Sequence, residues 1–189
     1  KIDTEAWRPT GMRACVSPWL YLDNCFVPEE NLLGQPGQFL GENWMGKINF
    51  AFTANYLGSA RAMYDRAPAY IRARNGAKDS YRQLRFGELK SMLDAARLIL
   101  YSAVRMFKNN PNDAMVAAHE AKWMAKETLE KIIWSSAEIC GSTALFVKHP
   151  LERFYRDMHL HMMHGRHDIA AQIVGASELG EDYDTNRNH

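Results

Sequence analysis

The sequence predicts a mainly α-helical chain whose centre is an antiparallel four-helix bundle. From residue 42 onward, apolar side chains recur at spacings of three and four, the period of a helix with one buried face. The connections between these periodic stretches are short and contain Gly, Asn or Pro, as expected for helices that pack antiparallel to their neighbours. In addition, 47% of the 189 residues are hydrophobic, which is enough for the packed core of one domain.

The amino-terminal part of the chain, residues 1–41, is rich in Pro and Gly and predicts short extended segments rather than helix. Aromatic and β-branched residues mark two candidate strands, Trp19–Leu22 and Cys25–Val27. One or two strands do not form a stable sheet alone. We therefore expect them to pair with a preceding segment or to wrap onto the helices.

Two long helices are predicted next. The first runs from Trp44 to Arg74, and Gly76 is its expected stop. The second runs from about Ser80 to Phe107 and carries an apolar stripe at helical period. The stripe consists of Leu89, Met92, Leu93, Ala96, Leu100 and Val104.

A third helix follows the break at Asn109–Asn112. Asp113 is its predicted N-cap, because a short carboxylate side chain accepts hydrogen bonds from the first free backbone N–H groups of a helix. This helix extends to about Ile139. The small residues that come next, Gly141-Ser142-Thr143, are expected to end it.

A fourth helix is predicted to begin after Pro150 and to end between His164 and Val174. The last residues, 181–189, form a polar tail that we expect to be frayed. The sequence contains no internal repeat that would indicate a solenoid.

The overall composition excludes several classes of function. With 23 basic and 22 acidic residues, the net charge is +1, so neither a nucleic acid nor an anionic membrane is an expected partner. No apolar run approaches the roughly 20 residues of a membrane-spanning helix. The three cysteines are far apart and predict neither a disulfide framework nor a metal knuckle, which favours a reducing, cytoplasmic location.

Four histidines crowd the end of the predicted fourth helix. His161 and His164, and likewise His164 and His167, are three residues apart and share a helix face, which is a possible metal-binding pattern. The segment has no HExxH motif and only two nearby carboxylates. We predict no metal site, and interpret these histidines as a helix end that partly lines a pocket. The four are His159, His161, His164 and His167.

Several segments, taken in order, resemble the acyl-CoA dehydrogenase superfamily. The resemblance covers about residues 7–175, and it depends on the order and spacing of the segments rather than on any single one. The segments are GMRACVSPWLYLDNCFVPEENLLG (Gly11–Gly34), AYIRARNG (Ala69–Gly76), AKWMAK (Ala121–Lys126) and EICGSTALFVKHPLERFYRD (Glu138–Asp157).

The resemblance implies a division of the chain into three parts. Residues 1–41 resemble the incomplete end of the family's middle β-domain, and residues 42–180 resemble its carboxy-terminal helical bundle. Residues 181–189 are a polar tail. The amino-terminal half of the family pattern is not represented in this sequence.

The same resemblance implies a flavin cofactor, FAD or alternatively FMN, held partly across a subunit interface of a homodimer or homotetramer. Arg74 is expected to reach the flavin diphosphate, because a guanidinium matches phosphate oxygens. Glu138, Gly141 and Ser142 are expected to offer polar and backbone contacts to the same cofactor. Two of these positions depart from the family, which usually has Gln in place of Glu138 and a second Gly in place of Ser142.

The position of the catalytic base also departs from the family. Acyl-CoA dehydrogenases remove a proton next to a thioester with a carboxylate, and the two usual positions of that carboxylate correspond here to Gly165 and Ile48. Asp168 is the runner-up base, but it reaches the site only with a three-residue shift of register. We expect that a carboxylate introduced at position 165 raises the rate of this deprotonation.

Flavin monooxygenases of the same superfamily place a histidine near this carboxy-terminal loop. His164, together with His161, resembles that arrangement, and imidazole exchanges protons near neutral pH. The resemblance therefore implies a flavin-dependent oxidoreductase with His164 as the candidate catalytic residue. It acts either on the CH–CH bond of an acyl-CoA-like substrate or as a hydroxylase of a small molecule. An inactive oligomerisation module of the same fold is the alternative, and the 189 residues alone are expected to be inactive.

Overall fold

The computed structural model of the protein describes residues 1–187. Within them lie six α-helices and one antiparallel sheet of two short strands, so the predicted mainly α-helical bundle is confirmed. None of these helices is both long enough and apolar enough to cross a membrane. The elements are β1 (Ile2–Asp3), β2 (Trp19–Leu20), α1 (Gln38–Gly41), α2 (Trp44–Arg72), α3 (Ser80–Phe107), α4 (Pro111–Cys140), α5 (Pro150–Met163) and α6 (His167–Leu179).

Helix α4 lies at the centre of the bundle. It packs against α2 and α3 along its length and also contacts α5 and α6. Its buried face is rich in alanine, and small side chains let neighbouring helices approach closely without leaving cavities. The buried apolar residues of α4 include Ala114, Ala118, Ala121, Ala125, Leu129, Ile132, Ile133 and Ile139.

The ends of the long helices differ from the prediction in two places. Helix α4 begins at Pro111, and its N-cap is Asn110, whose side chain accepts the backbone N–H of Asp113. The prediction of Asp113 as N-cap is therefore wrong; Asp113 lies in the first turn. Helix α2 ends at Arg72, two residues before Arg74, and Asn75 then adopts a left-handed backbone with φ +56°.

The predicted fourth helix is divided into α5 and α6. The expectation that it ends between His164 and Val174 is wrong, because α5 ends at Met163 and α6 continues to Leu179. The break follows from a tight turn in which Arg166 has a left-handed backbone with φ +32°. A single straight helix would require Arg166 to be right-handed.

The strands also differ from the prediction. Only Trp19–Leu20 of the first candidate is a strand, and it pairs with Ile2–Asp3 near the start of the chain. Cys25–Val27 contains no strand, and its side chains are exposed. The pairing involves two residues on each strand, extended by hydrogen bonds between Lys1 and Tyr21, so this sheet is too short to form a core of its own.

The amino-terminal segment docks on α5. The backbone N–H of Met12 donates to Oδ1 of Asp157 at 2.7 Å, and Arg156 donates to the carbonyl oxygen of Thr10 at 3.4 Å. Gly11 is buried directly against the backbone of Arg156. The Gly-x-Arg segment and the Arg-Asp pair, which are far apart in the sequence, are thus in direct contact.

The carboxy-terminal tail is also held in place. Thr185 accepts a hydrogen bond from Asn43 at 2.6 Å, and its carbonyl oxygen lies 3.1 Å from Nε2 of the buried His119. Asn186 donates to the carbonyl oxygen of Leu40 at 2.9 Å. The expectation of a frayed tail is therefore wrong for these residues, while residues 188–189 lie outside the described part of the chain.

Candidate functional site

The candidate cofactor-binding residues meet at one end of the bundle, where α2 ends and α4 passes into a 3₁₀ turn (Ser142–Leu145). Arg74 lies just beyond α2, with its guanidinium 3.6 Å from the ring centroid of Tyr70. The hydroxyl of Tyr70 in turn bonds to the hydroxyl of Thr143. Arg74 is exposed and has no ion pair with a carboxylate within residues 1–187. Its charge is therefore available to an anionic group.

Glu138 belongs to the same end of the bundle, on the last turn of α4. Its carboxylate accepts a hydrogen bond from the hydroxyl of Tyr81, and the Tyr81 ring lies 5.1 Å from the guanidinium of Arg85. The carboxylate is thus fixed by α3, although Glu138 itself remains exposed. One carboxylate oxygen accepts the hydrogen bond from Tyr81, and the other is left to contact a ligand.

Gly141 and Ser142 form the open side of this cluster. Gly141 has φ +83°, a conformation that other residues rarely adopt, and no atom lies within 4 Å of the place where a Cβ would be. Ser142 is exposed. A turn of small residues lets a ligand phosphate approach the protein backbone closely, and the unpaired guanidinium beside it can bind the phosphate oxygens. These residues therefore fit a flavin diphosphate.

The candidate catalytic residue His164 lies elsewhere, in the turn between α5 and α6. It is the C-cap of α5, its side chain is exposed, and its backbone N–H donates to the carbonyl oxygen of His161 at 3.2 Å. His161 is buried, and its ring packs 5.0 Å from that of Tyr56. Of the two imidazoles that the sequence proposed, only His164 faces the outside of the bundle.

A side chain at position 165, where the family carries a carboxylate, would meet two rings beneath the turn. A Cβ there would lie 2.6 Å from Cε1 of His167 and 2.7 Å from the hydroxyl oxygen of Tyr56, closer than real contacts allow. The imidazole of His167 lies where the first carbon of a side chain at position 165 would be. A carboxylate introduced there would have to move both rings, and its effect on the rate stays a prediction.

His167 is a buried imidazole under this turn. Its Nε2 lies 3.0 Å from the carbonyl oxygen of Met162 and 3.5 Å from the hydroxyl of Tyr56, so Nε2 carries the proton and donates to Met162. Nδ1 is buried without a hydrogen-bond partner among residues 1–187. Burial, together with the positive charge of Lys122, lowers the pKa of His167 to about 4. His167 is therefore neutral at pH 7.

Two further polar groups share this interior. Tyr56 is fully buried, and burial raises its pKa to about 12. Lys122 is 2% exposed, its ammonium lies 5.8 Å from the ring of Phe52, and it makes no ion pair within the described residues. Burial lowers the pKa of Lys122 to about 8. A buried cation without a carboxylate is costly, which marks this region as more than packing.

We expect the stability of the fold to fall as the pH drops, in part through His167. In the unfolded chain this imidazole protonates near its ordinary pKa of 6.5, whereas in the folded chain it resists protonation until about pH 4. Because of His167, the free energy of unfolding should decrease as the pH falls from about 6.5 to 4. This decrease reaches about 3 kcal/mol. Urea unfolding between pH 7.5 and 4.5 measures this.

The matched variant is His167→Gln, which retains a donor for Met162 but does not titrate. It should have a shallower pH dependence than the unaltered protein, with the remaining slope arising from other buried imidazoles such as His119, whose pKa burial also lowers. Equal slopes for both proteins would contradict the assignment of His167 as a buried neutral group.

Asp168, the runner-up base, lies at the surface in the first turn of α6. Both of its oxygens accept hydrogen bonds from the guanidinium of Arg166, at 3.2 and 3.1 Å. These hydrogen bonds hold the pKa of Asp168 below its ordinary range. A stabilised, solvated carboxylate is a weak base, so the geometry favours His164 over Asp168 for proton transfer.

The four histidines of this region do not gather around one point. His159 bonds to the carbonyl oxygen of Tyr155 at 2.6 Å and packs edge-on against Trp134. Within residues 1–187, no group of three or more His, Cys, Asp or Glu side chains is arranged to hold a metal ion. The contacts of these histidines are hydrogen bonds and ring packing.

His167 is one of the four histidines named from the sequence, but its burial beneath this turn was not predicted, and the other interior partners, Lys122 and Tyr56, were missed. Lys122 lies among alanines on the buried face of α4. From the sequence, a single charged residue in such a helix is expected at the surface. Tyr56 gave no signal, because an aromatic residue at helical spacing predicts core packing.

The comparisons with known proteins agree with this architecture. Residues 50–169 match the sequence model of the acyl-CoA dehydrogenase C-terminal domain, which is more than half of the chain. The chain belongs to the acyl-CoA dehydrogenase family. Its resemblance to that superfamily, inferred from the segments between Gly11 and Asp157, is thereby confirmed.

Several acyl-CoA dehydrogenases are among the similar sequences. The chain is 30% identical to the mitochondrial short-chain specific acyl-CoA dehydrogenase of Mus musculus, over 92% of this chain and 43% of that protein. It is 28% identical to the glutaryl-CoA dehydrogenase of Desulfococcus multivorans, over 95% of this chain and 48% of that protein. The chain thus spans less than half the length of these acyl-CoA dehydrogenase relatives.

Solved structures of two enzyme types share the fold. A glutaryl-coenzyme A dehydrogenase in complex with glutaryl-CoA is 27% identical with a TM-score of 0.83, covering 100% of this chain and 49% of that one. The dibenzothiophene monooxygenase TdsC of Paenibacillus has a TM-score of 0.84 at 24% identity, covering 96% and 53% of the two chains. TdsC is also solved with FMN bound. At this identity the monooxygenase establishes the shared acyl-CoA dehydrogenase fold alone.

Proposed function

We propose that this chain is the carboxy-terminal part of a flavin-dependent oxidoreductase that transfers protons through His164 rather than through a carboxylate. The observation that carries the proposal is the turn between α5 and α6. There position 165 is a glycine and offers no carboxylate, Asp168 is bound to Arg166, and His164 is an exposed imidazole. Family membership supports the flavin chemistry.

The division of the chain is part of the same proposal. Residues 1–41 are the end of a β-domain, and residues 42–180 are the bundle that meets the cofactor. The cofactor is FAD, with FMN as the alternative that the FMN-bound TdsC illustrates. Bound flavin supplies the site for hydride or oxygen chemistry. The protein supplies charge at Arg74, close approach at Gly141 and polar contacts at Glu138 and Ser142.

Two reactions use the same proton-transfer group. In oxidation of an acyl-CoA-like substrate, His164 accepts the proton from the carbon next to the thioester, and the acyl-CoA dehydrogenase relatives favour this reaction. In hydroxylation of a small molecule, His164 exchanges a proton with the reacting oxygen species or the substrate. The absence of a usable carboxylate in the α5–α6 turn favours hydroxylation. Parallel assays with an acyl-CoA plus an electron acceptor, and with reduced flavin plus oxygen, distinguish them.

The separation of the two groups of residues supports a homo-oligomer. Tyr56, beside the α5–α6 turn, and Arg72, at the end of α2, are about 24 Å apart at the 1.5 Å rise per residue of an α-helix. If Arg74 and His164 serve one active site, the two residues come from different copies of the chain. Exposed apolar side chains such as Leu98 and Tyr101 on α3 are available for such contacts. Light scattering at micromolar concentration tests this, and a strictly monomeric mass contradicts it.

We predict that Arg74→Ala weakens flavin binding in the full-length protein by about 1–3 kcal/mol, the value of a lost charge-assisted hydrogen bond. The expected reason is the loss of an unpaired guanidinium beside the open Gly141 turn. Fluorescence titration with FAD and FMN measures the change. The 189-residue chain alone is expected to bind flavin weakly, because only β1 and β2 represent the β-domain.

The matched control is Arg105→Ala, which removes the same charge from an exposed position of α3 far from this end of the bundle. Equal flavin affinity for both variants and the unaltered protein would contradict the role of Arg74. If flavin, acyl-CoA and oxygen assays all show nothing, the alternative of a catalytically inactive oligomerisation module is supported instead.

A further inference from the structure

A polar cavity lies between α2 and the start of α5. It has a volume of about 370 Å³ and contains four basic side chains and one carboxylate, a formal net charge of +3. The whole chain carries +1, so the positive charge is concentrated here. Its ionic residues are Arg66, Lys148, Glu152, Arg153 and Arg156.

Only one of these cations is neutralised. Arg156 donates to Glu152 at 2.7 Å, which uses the carboxylate of the cavity. Arg66, Lys148 and Arg153 make no ion pair within the described residues. Three unpaired like charges around one cavity repel each other, and an anion in the cavity would relieve that repulsion.

Phe154 draws two of the cations together. The guanidinium of Arg66 lies 4.8 Å from the centroid of its ring, and that of Arg153 lies 6.0 Å from it. Arg66 also donates to the carbonyl oxygen of Ala62 at 2.8 Å, which fixes its direction. Two guanidinium groups held on one aromatic ring form a preorganised pair of donors for phosphate oxygens.

His149 adds a donor that has no partner. Its Nδ1 accepts the backbone N–H of Leu151 at 3.1 Å, and its Nε2 is buried without a hydrogen bond among residues 1–187. Burial and the nearby charge of Arg74 lower the pKa of His149, so the ring is neutral and Nε2 carries a proton. A buried donor without an acceptor calls for a ligand or an ordered water.

Lys148 has an unusual backbone conformation at the edge of the cavity. Its backbone has φ +83°, a conformation that is strained for a residue with a side chain. Strain of this kind persists where the surroundings or a ligand require it. The same turn leads into α5, a helix of 14 residues whose positive amino-terminal end faces the cavity.

We propose that this cavity binds the phosphate or diphosphate group of a small molecule. Arg66, Arg153 and Lys148 neutralise the group, and His149 belongs to the wall of the cavity. The site differs from the Arg74 cluster in its residues, although Tyr70, on which Arg74 stacks, also packs 4.8 Å from the His149 ring. The phosphate can belong to the flavin or to a second ligand, and the inference does not require that the protein bind flavin.

Titration of the chain with inorganic pyrophosphate, followed by calorimetry at constant ionic strength, tests the proposal. We expect saturable binding of one equivalent per chain. Arg153→Ala and Lys148→Gly should each weaken it about tenfold, the effect of one charge-assisted hydrogen bond. Arg105→Ala, an exposed helical arginine on α3, is the matched control and should leave the affinity unchanged.

Lys148→Gly separates binding from folding. Glycine adopts φ +83° without strain, so this variant should be at least as stable as the unaltered protein while it binds pyrophosphate more weakly. Binding that does not saturate, or that neither variant alters, overturns the proposal. Failure of the Arg74→Ala experiment does not affect this one, because the two measurements test different residues.

Competition with FAD and with ADP identifies the source of the phosphate. If FAD displaces pyrophosphate much more strongly than ADP does, the flavin diphosphate occupies the cavity. If ADP displaces it as well as FAD does, a second, nucleotide-bearing ligand is the occupant. Either result supports a phosphate site.

Discussion

Gly11→Ala should lower the free energy of unfolding by about 3 kcal/mol, the upper range for forcing a methyl group into a filled space. A Cβ at position 11 would lie 2.6 Å from the carbonyl carbon of Arg156 and 2.8 Å from Cα of Asp157. Both are backbone atoms of α5, so no side chain can turn away to make room. Either the amino-terminal segment leaves α5 or the helix shifts.

Detachment of the amino-terminal segment from α5 can be measured directly. The backbone N–H of Met12 donates to Asp157, and the indole of Trp7 lies 3.4 Å from the carbonyl oxygen of Met12. In Gly11→Ala the Met12 amide should exchange with solvent faster and the Trp7 fluorescence should change.

Gly58→Ala is the control for this effect. Gly58 lies inside α2, and no atom lies within 4 Å of the place of its Cβ. Alanine is about 0.5–1 kcal/mol better than glycine in a helix, so this variant should be more stable. Equal effects of the two substitutions in urea unfolding would show that the contact between Gly11 and α5 is not formed in solution.

His164→Ala should reduce turnover of the full-length protein by about 10²–10⁴, the usual contribution of a general acid or base. His164 is the exposed imidazole of the α5–α6 turn, while Gly165 and the paired Asp168 offer no alternative carboxylate. Flavin affinity should be nearly unchanged, because the residues proposed to bind flavin are at the other end of α2. Steady-state rates with an acyl-CoA and an electron acceptor, and with reduced flavin and oxygen, measure the loss.

His159→Ala provides the comparison on the same helix. The His159 ring is bound to the carbonyl oxygen of Tyr155 and packed on Trp134, away from the turn. It should change stability and leave turnover close to that of the unaltered protein. Loss of stability without loss of turnover in His164→Ala would mean that His164 only packs at the end of α5. Fast turnover of an acyl-CoA that is independent of His164 would make Asp168 the next residue to test.

The long helices were predictable because local signals specify them. Ser80–Phe107 was found with its observed bounds, since one apolar stripe ends at an Asn-Pro break. Its outermost member, Val104, nevertheless lies at the surface and is 50% exposed. Periodicity locates a helix and its approximate face, while the packing of neighbouring helices decides which marginal positions are covered.

The α5–α6 turn was not predictable from local signals. It depends on the contact of Gly165 with Tyr56 and His167, and Tyr56 is distant in the sequence. The burial of Lys122 likewise depends on how α2, α4 and α6 meet. The grouping of Arg74 with Glu138 and Gly141 was implied by the resemblance, and the geometry places them near each other. Their roles remain predictions.

The two contacts that hold the ends of the chain have a consequence for how the protein folds. The bond between Met12 and Asp157 joins residues 145 positions apart, and that between Asn43 and Thr185 joins residues 142 apart. Closing such long loops costs more chain entropy than forming the local contacts of a helix. The bundle should therefore form first and both ends should attach late. In hydrogen exchange, the ends should open without global unfolding, and α4 should exchange last.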